Sequence, residues 1–200
     1  QTVIITGASD GIGAAAAKQL QTQGADVILV GRSLNKTEAV AKKLKVPYYV
    51  TDFADLSQVR ELATKILRDH RKIDVLCNNA GLAWGSQRTL TKDGHEMTFQ
   101  VNYLAPFLLT HLLKERLIAS KARIINTSSR GNLAASAHVD LQDLDSLRGY
   151  TPMKAYTTTK LETVMFTKEL NRRWGDSGVK AVCFHPGDVR SNFGRTSTRA

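Results

Sequence analysis

The stretch Thr6-Gly7-Ala8-Ser9-Asp10-Gly11-Ile12-Gly13 joins an apolar, β-branched run to a helix-like segment through a glycine-rich turn. Glycines let the chain turn sharply and bring backbone N–H groups close to an anion at the start of a helix, where the helix dipole adds attraction. Such a stretch can also be no more than a tight corner. Its position after the first predicted strand favours a phosphate-binding turn.

Outward from this turn, short apolar runs alternate with amphipathic segments of helical length. We predict strands at residues 3–6, 26–30, 48–50, 73–76, 123–127 and 180–184, and helices at residues 12–23, 34–44, 56–70, 92–119 and 153–174. Apolar strands separated by helices indicate an α/β fold, a doubly wound parallel sheet of the Rossmann type with ligands at the carboxyl ends of the strands. We expect one domain over residues 1–200.

Composition narrows the function classes. The chain has 200 residues, 42% of them hydrophobic, which suits one α/β core. It starts without a signal-peptide pattern and has no apolar run of about 18 residues, so we expect a cytoplasmic protein without a membrane-spanning segment. Cys77 and Cys183 lie in apolar runs and predict reduced thiols rather than a metal site. The net charge of +10 is scattered among acids, which argues against a nucleic-acid partner.

One segment interrupts the alternation. Residues 130–152 connect a strand to the next helix and are long for such a connection, which favours a functional role. We consider two readings of this insertion: a surface excursion with one short helix, or a wall of a substrate cleft at the active-site face.

Polar motifs follow several of the predicted strands. Asp52 comes just after the third strand, where it is either a ligand-binding carboxylate or a helix N-cap, and Asn78-Asn79-Ala80-Gly81 follows the fourth. Ser128-Ser129 ends the fifth strand, and His185-Pro186-Gly187-Asp188-Val189-Arg190-Ser191 follows the sixth. The carboxyl ends of parallel strands share one edge of the sheet, so these motifs should face a common cleft.

Tyr156 and Lys160 are spaced to share one face of the fifth predicted helix. A phenol with a pKa near ~10 is a poor acid or base at neutral pH, but a neighbouring ammonium favours the phenolate and lowers that pKa. The pair alone is weak evidence, since both residue types are common on helix surfaces. Its place among the other motifs makes it a candidate for proton transfer.

The motifs and their order resemble the short-chain dehydrogenase/reductase family over essentially all 200 residues. The resemblance implies that Tyr156 transfers a proton, Ser129 polarises the carbonyl, Lys160 tunes the tyrosine and holds ribose, and Asn102 anchors a water in the proton relay. Without that context Asn102 would be taken for a surface residue. The resemblance implies no metal, and it implies a cofactor site made of Gly7, Ser9, Gly11, Ile12, Gly13, Arg32, Asp52, Asn79, Ala80, Gly81, Tyr156, Lys160, Pro186, Gly187, Val189 and Ser191.

The residues after the second strand, Gly31 and Arg32, favour NADP(H) as the cofactor. NAD-specific relatives carry an acid at the position of Gly31, whereas Arg32 offers a planar fork for a 2′-phosphate, with Lys36 as support. Arg32 could instead be a solvated charge at the start of a helix.

We therefore predict an NADP(H)-dependent oxidoreductase acting on a small-molecule carbonyl or alcohol, with a non-catalytic NADP(H)-binding regulator as the alternative. The long spacing between Ser129 and Tyr156 resembles the spacing in one branch of the family, which contains retinol dehydrogenases, WW-domain oxidoreductases and protochlorophyllide reductases. This resemblance implies a bulky, apolar substrate. Family members continue with a substrate lid and a seventh strand, and we expect both to be absent from these 200 residues. A homo-oligomer is compatible with the resemblance.

Overall fold

The computed structural model describes residues 1–83 and 86–189, which contain a six-stranded parallel sheet in the order β3-β2-β1-β4-β5-β6. Helices cover both faces of the sheet, so the predicted doubly wound α/β fold is confirmed. The strands are β1 Thr2–Thr6, β2 Asp26–Gly31, β3 Tyr48–Val50, β4 Val75–Asn78, β5 Arg123–Thr127 and β6 Lys180–Phe184.

The two faces of the sheet each have their own core, and the central strand β1 contributes to both. Side chains alternate along a strand, so Ile4 packs into the larger core while Val3 and Ile5 pack into the smaller one. The larger core includes Leu109 and Phe166 from the helices on its side. Burial on both faces explains why the strands are apolar throughout rather than alternating with polar residues.

Four of the five predicted helices begin and end within one residue of their predicted bounds. The helices of the structure are α1 Gly11–Thr22, α2 Leu34–Leu44, α3 Leu56–Asp69, α4 Met97–Phe99, α5 Ala105–Leu112, α6 Lys114–Ala119 and α7 Pro152–Trp174. Polar side chains cap them: Asp10 begins α1, Ser33 begins α2, Asp55 begins α3 and Thr151 begins α7. These oxygens accept backbone N–H groups that would otherwise lack partners, which fixes where each helix starts.

The predicted long helix over residues 92–119 is wrong in its first part and in its continuity. Residues 92–96 form a turn, and helical structure starts only after Glu96, whose carboxylate accepts the N–H groups of Thr98 and Phe99. A π-helical segment, Gln100–Leu104, then separates α4 from α5, and Leu113 separates α5 from α6. Apolar periodicity alone cannot reveal such changes of winding, which often accompany functional sites.

The insertion at residues 130–152 contains one short 3₁₀ helix, Arg130–Leu133, followed by turns. Hydrogen bonds fasten it to neighbouring elements at several places. The Asp145 carboxylate accepts the backbone N–H of Glu96 at 2.8 Å and lies 3.1 Å from Nδ1 of His95. On α7, the Thr158 hydroxyl donates to the His138 carbonyl at 3.0 Å. The segment is therefore attached to the start of α4 and to α7, while several of its leucines are exposed.

Within residues 1–83 and 86–189, strand β6 is one of the two edges of the sheet, and its Val182 and Phe184 side chains are exposed. A seventh strand is not among the described residues. No helix within this part of the chain is long and apolar enough to cross a membrane.

Candidate active site

A cleft of about 510 Å³ runs along the carboxyl ends of the strands, from the glycine turn after β1 to the start of α7. It collects residues that are far apart in sequence, as a doubly wound sheet does at this edge. Most of the predicted site residues line it: Gly7, Ser9, Gly11, Ile12, Arg32, Asp52, Asn79, Ala80, Gly81, Ser129, Tyr156, Lys160, Pro186, Gly187 and Val189.

The glycine turn is packed too tightly for side chains. Gly7 has φ +66°, and a Cβ atom there would lie 2.8 Å from the Cα atom of Ala80. A Cβ atom on Gly13 would lie 2.4 Å from the carbonyl oxygen of Gly7. Gly13 therefore packs against the turn, and it does not line the cleft. These contacts let the turn bring its backbone to the start of α1, where N–H groups and the helix dipole favour an anion.

The end of the cleft beside β2 carries exposed cations. Arg32 is exposed and lines the cleft together with Lys36, whose ammonium lies 3.7 Å from the Asp10 carboxylate. Position 31 has no space for an acidic side chain, because a Cβ atom there would lie 2.2 Å from Oγ1 of Thr37. Packing against Thr37 therefore excludes an aspartate or glutamate side chain at position 31.

Asp52 and Asn79 occupy the walls next to the glycine turn. The Asp52 carboxylate accepts the N–H of Ala54 at 2.9 Å, and α3 is capped by Asp55, so the alternative reading of Asp52 as the helix N-cap is wrong. Asn79 donates from Nδ2 to the Thr6 carbonyl at 3.0 Å and accepts from the Thr127 hydroxyl at 3.3 Å. Asn79 therefore ties the ends of three adjacent strands together.

The two serines after β5 turn to different surroundings. Ser128 is buried, and its hydroxyl donates to the main-chain carbonyl of Lys160 at 3.0 Å. Ser129 is half-buried, accepts the N–H of Gly131 at 3.2 Å and forms a side-chain hydrogen bond with Tyr156. Of these two serines, Ser129 is the one whose hydroxyl contacts the tyrosine.

Tyr156 and Lys160 lie together on α7, as their four-residue spacing predicts. The Lys160 ammonium lies 5.4 Å from the centroid of the Tyr156 ring and donates to the Thr127 carbonyl at 3.0 Å. Lys160 is only 5% exposed, and burial lowers its pKa to about 8. The pKa of Lys160 comes close to neutral pH because burial removes water from the ammonium and so disfavours its charged form.

The pKa of Tyr156 does not follow the simple expectation from a neighbouring ammonium. Burial raises this pKa above its ordinary value, and the hydrogen bond with Ser129 opposes the rise. The net direction is upward, because burial disfavours the charged phenolate more than the hydrogen bond favours it. Lowering the pKa of Tyr156 for neutral-pH chemistry would require further positive charge in the cleft.

Asn102 lies in the π-helical segment behind the cleft, and it is buried, so it is not a surface residue. Its side-chain oxygen accepts the N–H of Leu82 at 2.8 Å, and its amide donates to the Leu82 carbonyl at 2.9 Å. A Cβ atom on Gly81 would lie 3.3 Å from Oδ1 of Asn102 and 3.8 Å from Nζ of Lys160. Asn102 thus holds the backbone of Gly81 and Leu82 in place beside Lys160.

The turn after β6 closes the far side of the cleft. Pro186, Gly187 and Val189 line it, and Gly187 has φ +82°, a conformation that favours glycine. Ser191, the predicted hydroxyl residue of this turn, lies outside the described residues.

Two features of the site had no signal in the sequence. The carbonyl of Thr127, which holds Lys160, is a backbone group that any residue could supply. Gly131 lies beside Ser129 and Tyr156, and a Cβ atom there would lie 3.7 Å from the tyrosine ring.

Glu162, two residues after Lys160 and so on the opposite side of α7, is 4% exposed and neither carboxylate oxygen has a hydrogen-bond partner. Burial, with repulsion from Glu96, raises the pKa of Glu162 to about 8.

Comparison with known proteins gives concordant matches. The family model described as short chain dehydrogenase matches residues 1–141. Human retinol dehydrogenase 13 is 43% identical over 98% of this chain, and the chain spans 61% of that protein. Among solved structures, an uncharacterized protein from Mycobacterium Paratuberculosis is 35% identical with a TM-score of 0.82, covering 98% of this chain and 72% of its own. A metagenomic short-chain oxidoreductase in complex with NADP is 30% identical with a TM-score of 0.75, covering 95% and 83%.

Proposed function

The chain belongs to the short chain dehydrogenase family, and from this premise we propose that it moves a hydride between NADP(H) and the carbon of a carbonyl or alcohol substrate. The observation that carries the proposal is the meeting of Ser129, Tyr156 and Lys160 at one end of a cleft that begins at the glycine turn. A binding protein needs the glycine turn. It does not need a tyrosine, a lysine and a serine arranged for proton transfer.

The dinucleotide fits the residues present. The cradle at Gly7 and Gly13 has space for a diphosphate against the backbone because side chains are excluded there. Asp52 would meet the adenine end, while Asn79, Ala80 and Gly81 form the adjacent wall. The turn at Pro186 and Gly187 would hold the nicotinamide end. When bound, the cofactor supplies or accepts the hydride.

The chain's own residues manage the proton and the developing charge on oxygen. Tyr156 transfers a proton to or from the substrate oxygen, while Ser129 donates a hydrogen bond to that oxygen and stabilises its negative charge. Lys160, held by the Thr127 carbonyl, adds positive charge near the phenol and holds ribose. Asn102, buried next to Gly81, anchors the relay behind the lysine.

Preference for NADP(H) rests on Arg32 and on the space at Gly31. Arg32 lines the cleft with an exposed guanidinium, and no carboxylate can stand at position 31 to repel a 2′-phosphate. The NADP held by a similar solved oxidoreductase supports the same choice. Lys36 is the weaker contributor, because Asp10 lies 3.7 Å from its ammonium.

A bulky, apolar alcohol or carbonyl compound is the substrate class we propose, since retinol dehydrogenases are among the proteins similar to this chain. The insertion as a wall of that pocket, a cytoplasmic location and a homo-oligomer stay predictions. Within the described residues the cleft lining passes from Ser129 to Tyr156 and includes no residue of the insertion, although Gly131 lies beside both of these side chains.

The test is a spectrophotometric screen of the purified protein with NADPH or NADH against aldehydes, ketones, retinoids and steroids. We expect NADPH consumption with at least one carbonyl compound and slower consumption of NADH. A protein that binds NADPH tightly and consumes none across the panel would instead match the regulator alternative.

A further inference from the structure

Gly131 stands next to the proton-transfer residues although its backbone does not require a glycine. It lies in the 3₁₀ helix that follows Ser129, and its φ lies outside the left-handed region. A Cβ atom there would lie 3.2 Å from Cγ2 of Thr157, 3.6 Å from Oγ of Ser129 and 3.7 Å from Cε1 of Tyr156. The only tight contact of such a Cβ atom is the one with the Thr157 methyl group, while the distances to Ser129 and Tyr156 are ordinary van der Waals contacts.

The backbone N–H of Gly131 donates to Oγ of Ser129 at 3.2 Å. A serine hydroxyl has one proton to donate and two lone pairs to accept with. Because the amide occupies a lone pair, the hydroxyl proton is left to point elsewhere, and the Ser129 side chain is hydrogen-bonded to Tyr156. Hydrogen bonds in such a chain polarise one another, so the amide makes Ser129 a better donor.

We propose that Gly131 is a positioning residue, whose main-chain N–H fixes Ser129 as a hydrogen-bond donor toward Tyr156 or, when substrate is bound, toward the substrate oxygen. This inference rests on the proposed function for its consequence in turnover. Its geometric part concerns only Ser129, Tyr156 and the amide. The direction of the Tyr156 shift supports it, since the hydrogen bond with Ser129 lowers that pKa against the effect of burial.

The design separates the amide proton from the added side chain. Thr157→Ser removes the Cγ2 atom that a new Cβ would press on and keeps the hydroxyl that donates to the Met153 carbonyl. In this background, Gly131→Ala adds a Cβ and keeps the N–H, while Gly131→Pro adds a ring and removes the N–H. Replacing Gly131 by glycolic acid, which puts an ester in place of the amide, removes the N–H with almost no change of shape and covers the case in which the proline variant does not fold.

Two readouts are measured in each variant, with and without Ser129→Ala. The first is the ionisation of Tyr156, followed by ultraviolet absorbance as the difference from the same variant carrying Tyr156→Phe, at pH values where circular dichroism shows an intact fold. The second is kcat for benzaldehyde with NADPH. We expect loss of the N–H to raise the pH midpoint of Tyr156 ionisation and to lower kcat roughly 3- to 10-fold, the factor that one ordinary hydrogen bond is worth.

The double-mutant cycle decides the matter. If the amide acts through Ser129, removing it has no further effect once Ser129 is alanine, whereas general damage to the loop adds in both backgrounds. Equal losses in both backgrounds, or a Tyr156 midpoint that does not respond to loss of the N–H, would overturn the proposal. If the protein consumes no NADPH with any carbonyl compound, the proposed function fails, and the tyrosine titration still decides the role of Gly131.

Discussion

The two ends of the cleft differ in how their cationic side chains are exposed. At the end beside β2, Arg32 and Lys36 are exposed to solvent, whereas at the end beside β5 Lys160 is buried. Lys36 has 60% of its side chain exposed, with Asp10 3.7 Å away, whereas Lys160 is 5% exposed and donates to the Thr127 carbonyl. Charges in water are screened and contribute little each, while hydrogen bonds and charges in a low-dielectric site act strongly. Substitutions should therefore have small effects at the exposed end of the cleft and large effects at the enclosed end.

The largest effect is expected from Tyr156→Phe at the enclosed end. Removal of the hydroxyl should lower kcat by about 10²–10⁴, the usual contribution of a general acid or base, with little change in NADPH affinity. The measurement is kcat on an active carbonyl compound alongside NADPH binding by fluorescence.

Tyr150→Phe is the matched control, because that buried hydroxyl has no hydrogen-bond partner and lies outside the described cleft lining. A Tyr156→Phe variant with more than about a tenth of wild-type kcat would remove Tyr156 from the proton transfer.

The second effect distinguishes two neighbouring hydroxyls. Ser129→Ala should lower kcat by an amount that corresponds to about 2.7–4 kcal/mol in activation free energy, as loss of one oxyanion donor does. Ser128→Ala should affect kcat far less and instead lower the free energy of unfolding by about 1 kcal/mol, because its buried hydrogen bond to the Lys160 carbonyl is lost. Steady-state kinetics and urea unfolding of both variants test this, and the opposite ranking of the two kcat values would refute the assignment.

A smaller effect is expected at the exposed end. Arg32→Ala should weaken NADPH binding roughly 10-fold and leave NADH binding unchanged, since an exposed guanidinium in screened water contributes on the order of 1 kcal/mol. Titration of both cofactors measures the preference.

Arg60→Ala removes the same charge from an exposed position of α3 away from the cleft and serves as the control. Equal loss of NADPH affinity in the two variants would mean that net charge, and not a contact at Arg32, sets the preference.

Glu162→Gln should have the smallest effect on activity and a clear effect on stability. The carboxyl ionises near its ordinary 4.5 when unfolded but at about 8 when folded, so the folded state binds the extra proton between these values. Stability of the wild type therefore falls as pH rises through this window. The glutamine variant should gain on the order of 2–4 kcal/mol relative to wild type at about pH 8 and little at about pH 4.5.

Thermal unfolding of both proteins at the two pH values measures this difference, with kcat as the second readout. A stability difference that does not change with pH would show that Glu162 ionises normally.

The comparison of the two ends also shows which parts of the molecule the sequence could predict. Residue type and spacing singled out the glycine turn and the pair Tyr156 and Lys160, whereas the choice of Ser129 and the predicted roles came from the family resemblance. The strand bounds followed from apolar runs, and three of the six match those of the structure: β3, β5 and β6. The break of residues 92–119 into α4, a π-helical segment, α5 and α6 was missed, because apolar periodicity does not record winding.

The contacts made by backbone groups could not be predicted from the sequence either. The Thr127 carbonyl that holds Lys160 and the Gly131 amide that contacts Ser129 belong to the main chain, so no residue type marks them. The absence of any partner for Glu162 was equally invisible, since it depends on which helix faces pack together. Tertiary packing decides these features.

The order of the strands also bears on how the chain reaches its folded state. Strand β1 pairs with β2 on one side, but on the other side Val3 pairs with Val75 of β4, so the centre of the sheet closes only after three helices have been made. Contacts between distant parts of a chain carry a high entropic cost before they contribute stability, and they slow folding. Until β4 arrives, the apolar edge of β1 is open to pairing with another chain. Refolding yield should therefore depend on protein concentration more steeply than it would for a helical bundle of the same length.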